Sequence, residues 1–213
     1  MSAVPQLAID NENPWPGLSA FDEAAELRRL VLNAPLTVLF GASGLGKTSL
    51  IQAGLFPLLR KEYYLPVYVR LDVRDRAAPL VDQVTFALQQ QLRAGNVDAP
   101  QWREQESLWE YLHRPLLELW SAQNQLVTPL FVFDQFEEVC TLGLENASAI
   151  RQLRIDLANL IENRIPDSLA RSIRSNGVVA ESIALDRQRY KVLLSFREVS
   201  RPLWRDGSET SLP

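Results

Sequence analysis

The sequence has little of what small scaffolds and metal enzymes are built from. A single cysteine, Cys140, in 213 residues leaves no internal disulfide to form and suits a reducing compartment. A single histidine, His113, removes multi-histidine metal sites, and no Ser-His-Asp triad is read around it. The helical pattern near His113 puts it on a helix surface without a catalytic role. No apolar run reaches the ~20 residues of a membrane span, and Met1–Asp10 lacks the basic start of a signal peptide. The expectation is a soluble, cytoplasmic chain with no membrane partner. Basic residues are not in excess: 22 Lys and Arg stand against 26 Asp and Glu, a formal net charge of −4. That balance argues against a dedicated nucleic-acid partner. No internal repeat is present. Apolar residues are plentiful at 46%, enough for one large core, so global disorder is excluded.

Against this background one segment stands out. Gly41-Ala42-Ser43-Gly44-Leu45-Gly46-Lys47-Thr48 fits G-x-x-x-x-G-K-[ST], a phosphate-binding loop. Its glycines let the backbone curl close to phosphates, where successive N–H groups and the next helix start form an anion nest. Lys47 reaches the β- and γ-phosphates as a point charge, and the Thr48 hydroxyl is a magnesium ligand. Ser49, opening the following helix, completes the nucleotide-binding set. The context agrees, because Leu36–Phe40 is an apolar run ended by glycine and reads as a buried strand. Residues 49–56 read as the helix after the loop.

The rest of the chain alternates in the same way. Residues 1–14 read as a flexible lead-in, and Leu18–Leu32 contains a helical stretch. Leu65–Leu71 reads as a second strand, with Pro66 at its start where a missing N–H matters least. Pro79–Ala94 has helical spacing. Ser107–Gln123 is predicted as a helix, with Ser107 as its cap and Glu110 three positions on. Asn146–Ile165 carries an apolar stripe on one helical face, and a short helix follows over Pro166–Ser175. Trp102, Trp109, Tyr111 and Trp120 fit helix packing rather than base stacking.

A second chemical signal lies in Pro129-Leu130-Phe131-Val132-Phe133-Asp134-Gln135-Phe136-Glu137-Glu138. Four apolar residues form a buried parallel strand with Asp134 at its C-terminal end, the edge where open α/β sheets bind ligands. An Asp there holds magnesium as the Walker-B partner of Thr48. Glu137 or Glu138 can then orient or deprotonate an attacking water. The strand Tyr190–Phe196 ends in Arg197-Glu198, and Arg197 faces either a γ-phosphate or a neighbouring acid.

Together these pieces resemble the novel STAND NTPases, signal-transduction ATPases of bacteria. The resemblance rests on Asn13-Pro14-Trp15-Pro16-Gly17-Leu18-Ser19-Ala20-Phe21, the phosphate loop, Phe131–Glu138 and Val192–Glu198, in that order. Ser107–Leu112 also looks familial. The resemblance implies an α/β P-loop NTPase, its parallel sheet flanked by helices, with ATP and Mg2+ as cofactors in an on/off switch. It implies ATP and ADP as ligands, self-association, and sensor or effector domains in full-length relatives. By motif, Lys47 and Thr48 carry over to phosphate and magnesium, Asp134 to magnesium and Arg197 to a sensor position. In the related NACHT pattern the hydrolytic acid sits three positions after the Asp, which here is Glu137.

The chain departs from that pattern in three places. The G-R-x-x-E box between the Asn13–Leu18 segment and the first strand is missing. Gln135 occupies the position where many ATPases place their catalytic acid, although D-Q-F-E-E is the family's own form. Pro213 comes soon after the sensor strand. On this reading residues 1–35 are an N-terminal arm and helix, 36–200 the P-loop core and 201–213 a truncated tail. Family sheets run 5-1-4-3-2, and with no fifth strand legible after residue 198, Leu36–Phe40 is expected at a bare sheet edge. Slow hydrolysis and association through that edge follow. Two alternatives stay open: a nucleotide-binding interaction module with little turnover, or a P-loop kinase with a lid carrying Arg171, Arg174, Arg187 and Arg189.

Overall fold

A computed structural model describes residues 4–9, 20–74, 79–141, 146–175, 183–186 and 188–197. Five parallel strands form one sheet: β1 (Gln6–Ile9), β2 (Leu36–Gly41), β3 (Tyr64–Val69), β4 (Thr128–Phe133) and β5 (Lys191–Arg197), in the order β1-β2-β5-β4-β3. Helix α1 (Ala20–Asn33) precedes β2. The phosphate loop follows, then α2 (Lys47–Ser49), a π-helical stretch (Leu50–Leu55) and α3 (Phe56–Lys61) without interruption of helical backbone. The remaining helices are α4 (Leu80–Ala94), α5 (Leu108–Leu112), α6 (Glu137–Thr141), α7 (Ala147–Ile161) and α8 (Asp167–Ser175).

The strands are apolar on both faces because helices cover both faces. Val67, Val69, Phe131, Phe133, Val192 and Leu194 point into one core, which α4, α5, α7 and α8 complete. Leu7, Leu39, Leu130, Val132 and Leu193 take the opposite parity and meet α1, the π-helical stretch and α3. Alternation of period two along each strand thus feeds two cores, and β4, buried from Pro129 to Phe133, sits between them. Helix α1 has no basic residue in its last turn. Lys191 of β5 supplies the cation, donating from Nζ to Leu32 O and Ala34 O at 2.9 and 3.0 Å, where C-terminal helix carbonyls favour positive charge.

The largest departure from the sequence reading is at the edge of β2. Part of the expected lead-in is strand β1, paired in parallel with β2 in the register Gln6↔Val38 to Ile9↔Gly41. A backbone bond from Val38 N–H to Pro5 O at 3.0 Å extends the pairing. The position expected to stand bare is therefore covered from the N-terminal side. Four residues are too few to show a period, and Leu7 is the one described side chain of β1 that is buried. Leu7→Ala removes that anchor and should lower stability by roughly 2 kcal/mol, the low end for a buried Leu→Ala change. Urea denaturation checks the loss, and light scattering should show self-association as β2 loses its cover.

Two helices end earlier than their patterns suggested. Helix α5 forms with the full Ser107–Glu110 capping box, but stops at Leu112 because Pro115 disfavours helical geometry in the residue before it. Trp120 instead bridges Asp98 and Leu126 in extended pairing. Helix α7 ends at Ile161, two residues before Asn163 at φ 53°. His113 is not on a surface: it is 1% exposed, stacks on Trp109 at 3.8 Å and directs its ring nitrogens at Trp109 O and Asn163 Oδ1. Burial pushes its pKa down, against the pull of those two acceptors. Trp102 stacks on Tyr111 at 3.6 Å. No helix among the described residues is long and apolar enough to cross a membrane.

Candidate functional site

Three neighbouring parallel strands deliver the candidate site from the same end of the sheet. Strand β2 ends at Gly41, which is in register with Arg197 of β5. Strand β4 ends at Phe133, in register with Leu194 of β5. The next residue after β4, Asp134, is held by its own N–H on Val69 O at 3.0 Å. The turn then crosses to β5, with Phe136 N–H donating to Ser195 O at 2.9 Å. A cavity of about 260 Å³ opens there, lined by Ser43, Gly44, Gly46, Lys47, Thr48, Asp134, Gln135, Glu137 and Arg197.

The loop's shape follows from its glycines. Gly44 and Gly46 have φ of 85° and 77°, a left-handed region that other residues adopt with strain. A Cβ would meet nothing within 4 Å at either position, so the conformation, not crowding, demands glycine. Gly46 O then accepts from Leu50 N–H at 2.8 Å and starts the helix. Lys47 Nζ is tied to Gly41 O and Ala42 O at 2.6 and 2.7 Å. Burial lowers the pKa of that ammonium, Arg197 pushes the same way, and Glu137 and Asp134 oppose it. Leu45 packs against the α1-side core, and Ser49 is exposed.

On the opposite wall, Thr48 Oγ1 donates to Asp134 Oδ2 at 2.7 Å across 86 residues of chain. Tyr68 OH donates to the same oxygen at 2.8 Å. Sequence reading missed Tyr68. The signal available was its parity: Val67 and Val69 point into one core, so Tyr68 of β3 must face the other side, beside Val132 of β4. Its phenol pKa is pushed up to about 12 by burial and by the Asp134 contact, so it remains a donor at neutral pH. Asp134 is 4% exposed, and its Oδ1 accepts from Gln135 N–H at 3.0 Å.

The two adjacent acids are separated by the start of α6. Glu137 is buried and lines the cavity; its Oε2 accepts from Arg197 N–H at 2.8 Å and its Oε1 lies 3.7 Å from Arg197 Nε. Glu138 does not line it and instead meets Arg70 at 3.5 Å. The residues expected to form a kinase lid are not gathered here. Arg189 donates to Leu117 O, Arg171 borders a separate cavity between α7 and α8, and Arg187 lies outside the described residues. The Asn13–Leu18 segment, Glu198 and the 201–213 tail also lie outside them.

The donors that could hold a metal are oxygens: one carboxylate and one hydroxyl, side by side. That set suits magnesium, which takes one or two protein oxygens and fills its octahedron with waters and substrate phosphates. Among the described residues no group of three or more His, Cys, Asp or Glu is gathered as a metal site, so a cation held there would take its remaining ligands from water and bound phosphate. The site can therefore seat a polyphosphate on loop amides and Lys47, with a divalent cation at Thr48 and Asp134 and a buried acid nearby. No curated protein and no solved structure matches the chain. The family model of Novel STAND NTPase 1 matches residues 14–180, most of the chain, and the chain thus belongs to that family of nucleotide-binding signal-transduction NTPases.

Proposed function

We propose that the chain is the ATP-binding and ATP-hydrolysing core of a bacterial signal-transduction switch, working with Mg2+ in the cytoplasm. The observation that carries the reading is the 2.7 Å contact between Thr48 and Asp134. It joins the phosphate loop to the Walker-B strand in one place. Electrostatics supports the metal. The cavity is lined by two cations, Lys47 and Arg197, beside two carboxylates, Asp134 and Glu137. A nucleoside triphosphate adds several negative charges, which a divalent cation at Thr48 and Asp134 offsets.

The chain's own residues divide the work. Loop amides and Lys47 bind the phosphates, and Thr48 and Asp134 would hold the metal, which would supply positive charge to offset that of the phosphates. Glu137 takes the proton of the attacking water, and Arg197 faces the γ-phosphate. Arg197 also holds Glu137 from two atoms, which supports slow turnover and keeps the low-turnover interaction module as the second reading. Self-association and control by sensor or effector domains of a longer relative complete the proposed switch.

Fluorescence titration with ATP, run beside phosphate release, tests the reading. Micromolar binding with magnesium-dependent release supports it; binding without release favours the second reading, and no binding rejects both. Tyr68→Phe offers a narrower check on the metal. Deleting a hydrogen bond that orients a metal ligand lowers metal affinity by about tenfold or more. The magnesium concentration giving half-maximal nucleotide binding should rise by that factor, while metal-free binding stays unchanged.

A further inference from the structure

The turn leaving β4 contains a side chain for which the proposed chemistry has no role. Gln135 has φ 56°, a left-handed conformation uncommon outside glycine and frequent where function imposes it. Its backbone is fixed on both sides: Gln135 N–H donates to Asp134 Oδ1 and Gln135 O accepts from Glu138 N–H, each at 3.0 Å. The side chain lines the cavity beside Lys47, Thr48, Asp134, Glu137 and Arg197. Its Oε1 is itself buried and meets no donor among the described residues, so a change of side-chain rotamer would bring it to the cavity. The neighbouring carboxylates differ. Asp134 accepts from Thr48, Tyr68 and the Gln135 N–H, and Glu137 accepts from the Arg197 N–H. A buried amide oxygen without a donor is uncommon in folded proteins and calls for an explanation.

We infer that Gln135 is a catalytic residue whose amide holds the attacking water in line with the γ-phosphate. The inference rests on the ATP-hydrolysis reading above and adds a residue to it. A neutral amide suits the place. Its oxygen accepts one hydrogen of the water while its NH2 donates to a γ-phosphate oxygen, which a carboxylate could not do. Glutamine performs this positioning in other phosphoryl-transfer sites. The water oxygen bonds to the γ-phosphorus as the bond from phosphorus to the β,γ-bridging oxygen breaks. The bridging electron pair leaves with ADP, and the proton shed by the water goes to Glu137.

The test uses the full chain and two variants. Gln135→Gly accepts the positive φ without strain and removes the side chain, and Gln135→Asn tolerates it and retracts the amide by one methylene. ATP affinity is read by fluorescence titration and chemistry by single-turnover phosphate release. Both variants are expected to bind ATP within about threefold of the unaltered chain. Phosphate release should slow by about 100-fold in Gln135→Gly, the effect of removing one positioned transition-state contact, and by a similar or smaller factor in Gln135→Asn. Undiminished release in Gln135→Gly overturns the inference and leaves the ATPase reading intact. Parallel loss of affinity and rate in both variants also overturns it, since Gln135 would then support the loop alone. If the unaltered chain releases no more phosphate than Lys47→Ala, the ATPase reading fails and this inference fails with it.

Discussion

Lys47→Ala is expected to weaken ATP binding by about 100-fold, the equivalent of roughly 3 kcal/mol. A hydrogen bond to a charged group is worth about 1.5–3 kcal/mol, and Lys47 meets two phosphates in the proposed complex. The ammonium is held at the mouth of the loop by Gly41 O and Ala42 O, and must exchange those carbonyls for phosphate oxygens. Its pKa is lowered by burial, and the incoming polyanion opposes that shift by favouring the charged form. Deleting the side chain also leaves both carbonyls without the ammonium, so the comparison needs a thermal melt beside the calorimetry. A folded Lys47→Ala chain with undiminished ATP affinity would reject the phosphate-loop assignment.

The parts of this site that were legible in the sequence are those whose chemistry is local. The phosphate loop declares itself because left-handed geometry at residues 44 and 46 needs glycine, and the ammonium and hydroxyl must follow at once. Asp134 was legible because a buried strand leaves no place for a carboxylate except at its end. The β4 run Leu130–Phe133 showed burial on both faces, and hence a parallel sheet between helical layers. What stayed hidden depends on partners distant in the chain. Strand β1 exists through its pairing with β2, not through a pattern of its own. Tyr68 acquires its role from strand parity and from Asp134, 66 residues away. His113 reads as an ordinary helix position until Asn163 and Tyr190 close around it. Adjacent Glu137 and Glu138 are identical in the sequence, and only the start of α6 decides which one turns to the cavity.

That division between the two acids gives the second large effect. Glu137→Gln should leave ATP affinity within a few-fold and slow phosphate release by about 10²–10⁴-fold, the range for losing a general base. The amide keeps the shape of the carboxylate, and its oxygen can still accept from Arg197 N–H, so the turn after β4 stays bonded to β5. It cannot accept the proton of the attacking water. Removing one negative charge beside Lys47 and Arg197 leaves the cavity more positive, so any change in affinity should favour the nucleotide. Glu138→Gln is the matched control. Its partner Arg70 is 58% exposed, and such ion pairs contribute about 0–1 kcal/mol, so turnover should fall by no more than a few-fold. Single-turnover release on both variants, with ATP affinity measured in parallel, separates the cases. Full turnover in Glu137→Gln with none in Glu138→Gln would assign the proton to the acid facing Arg70, and would require α6 to rotate when nucleotide binds.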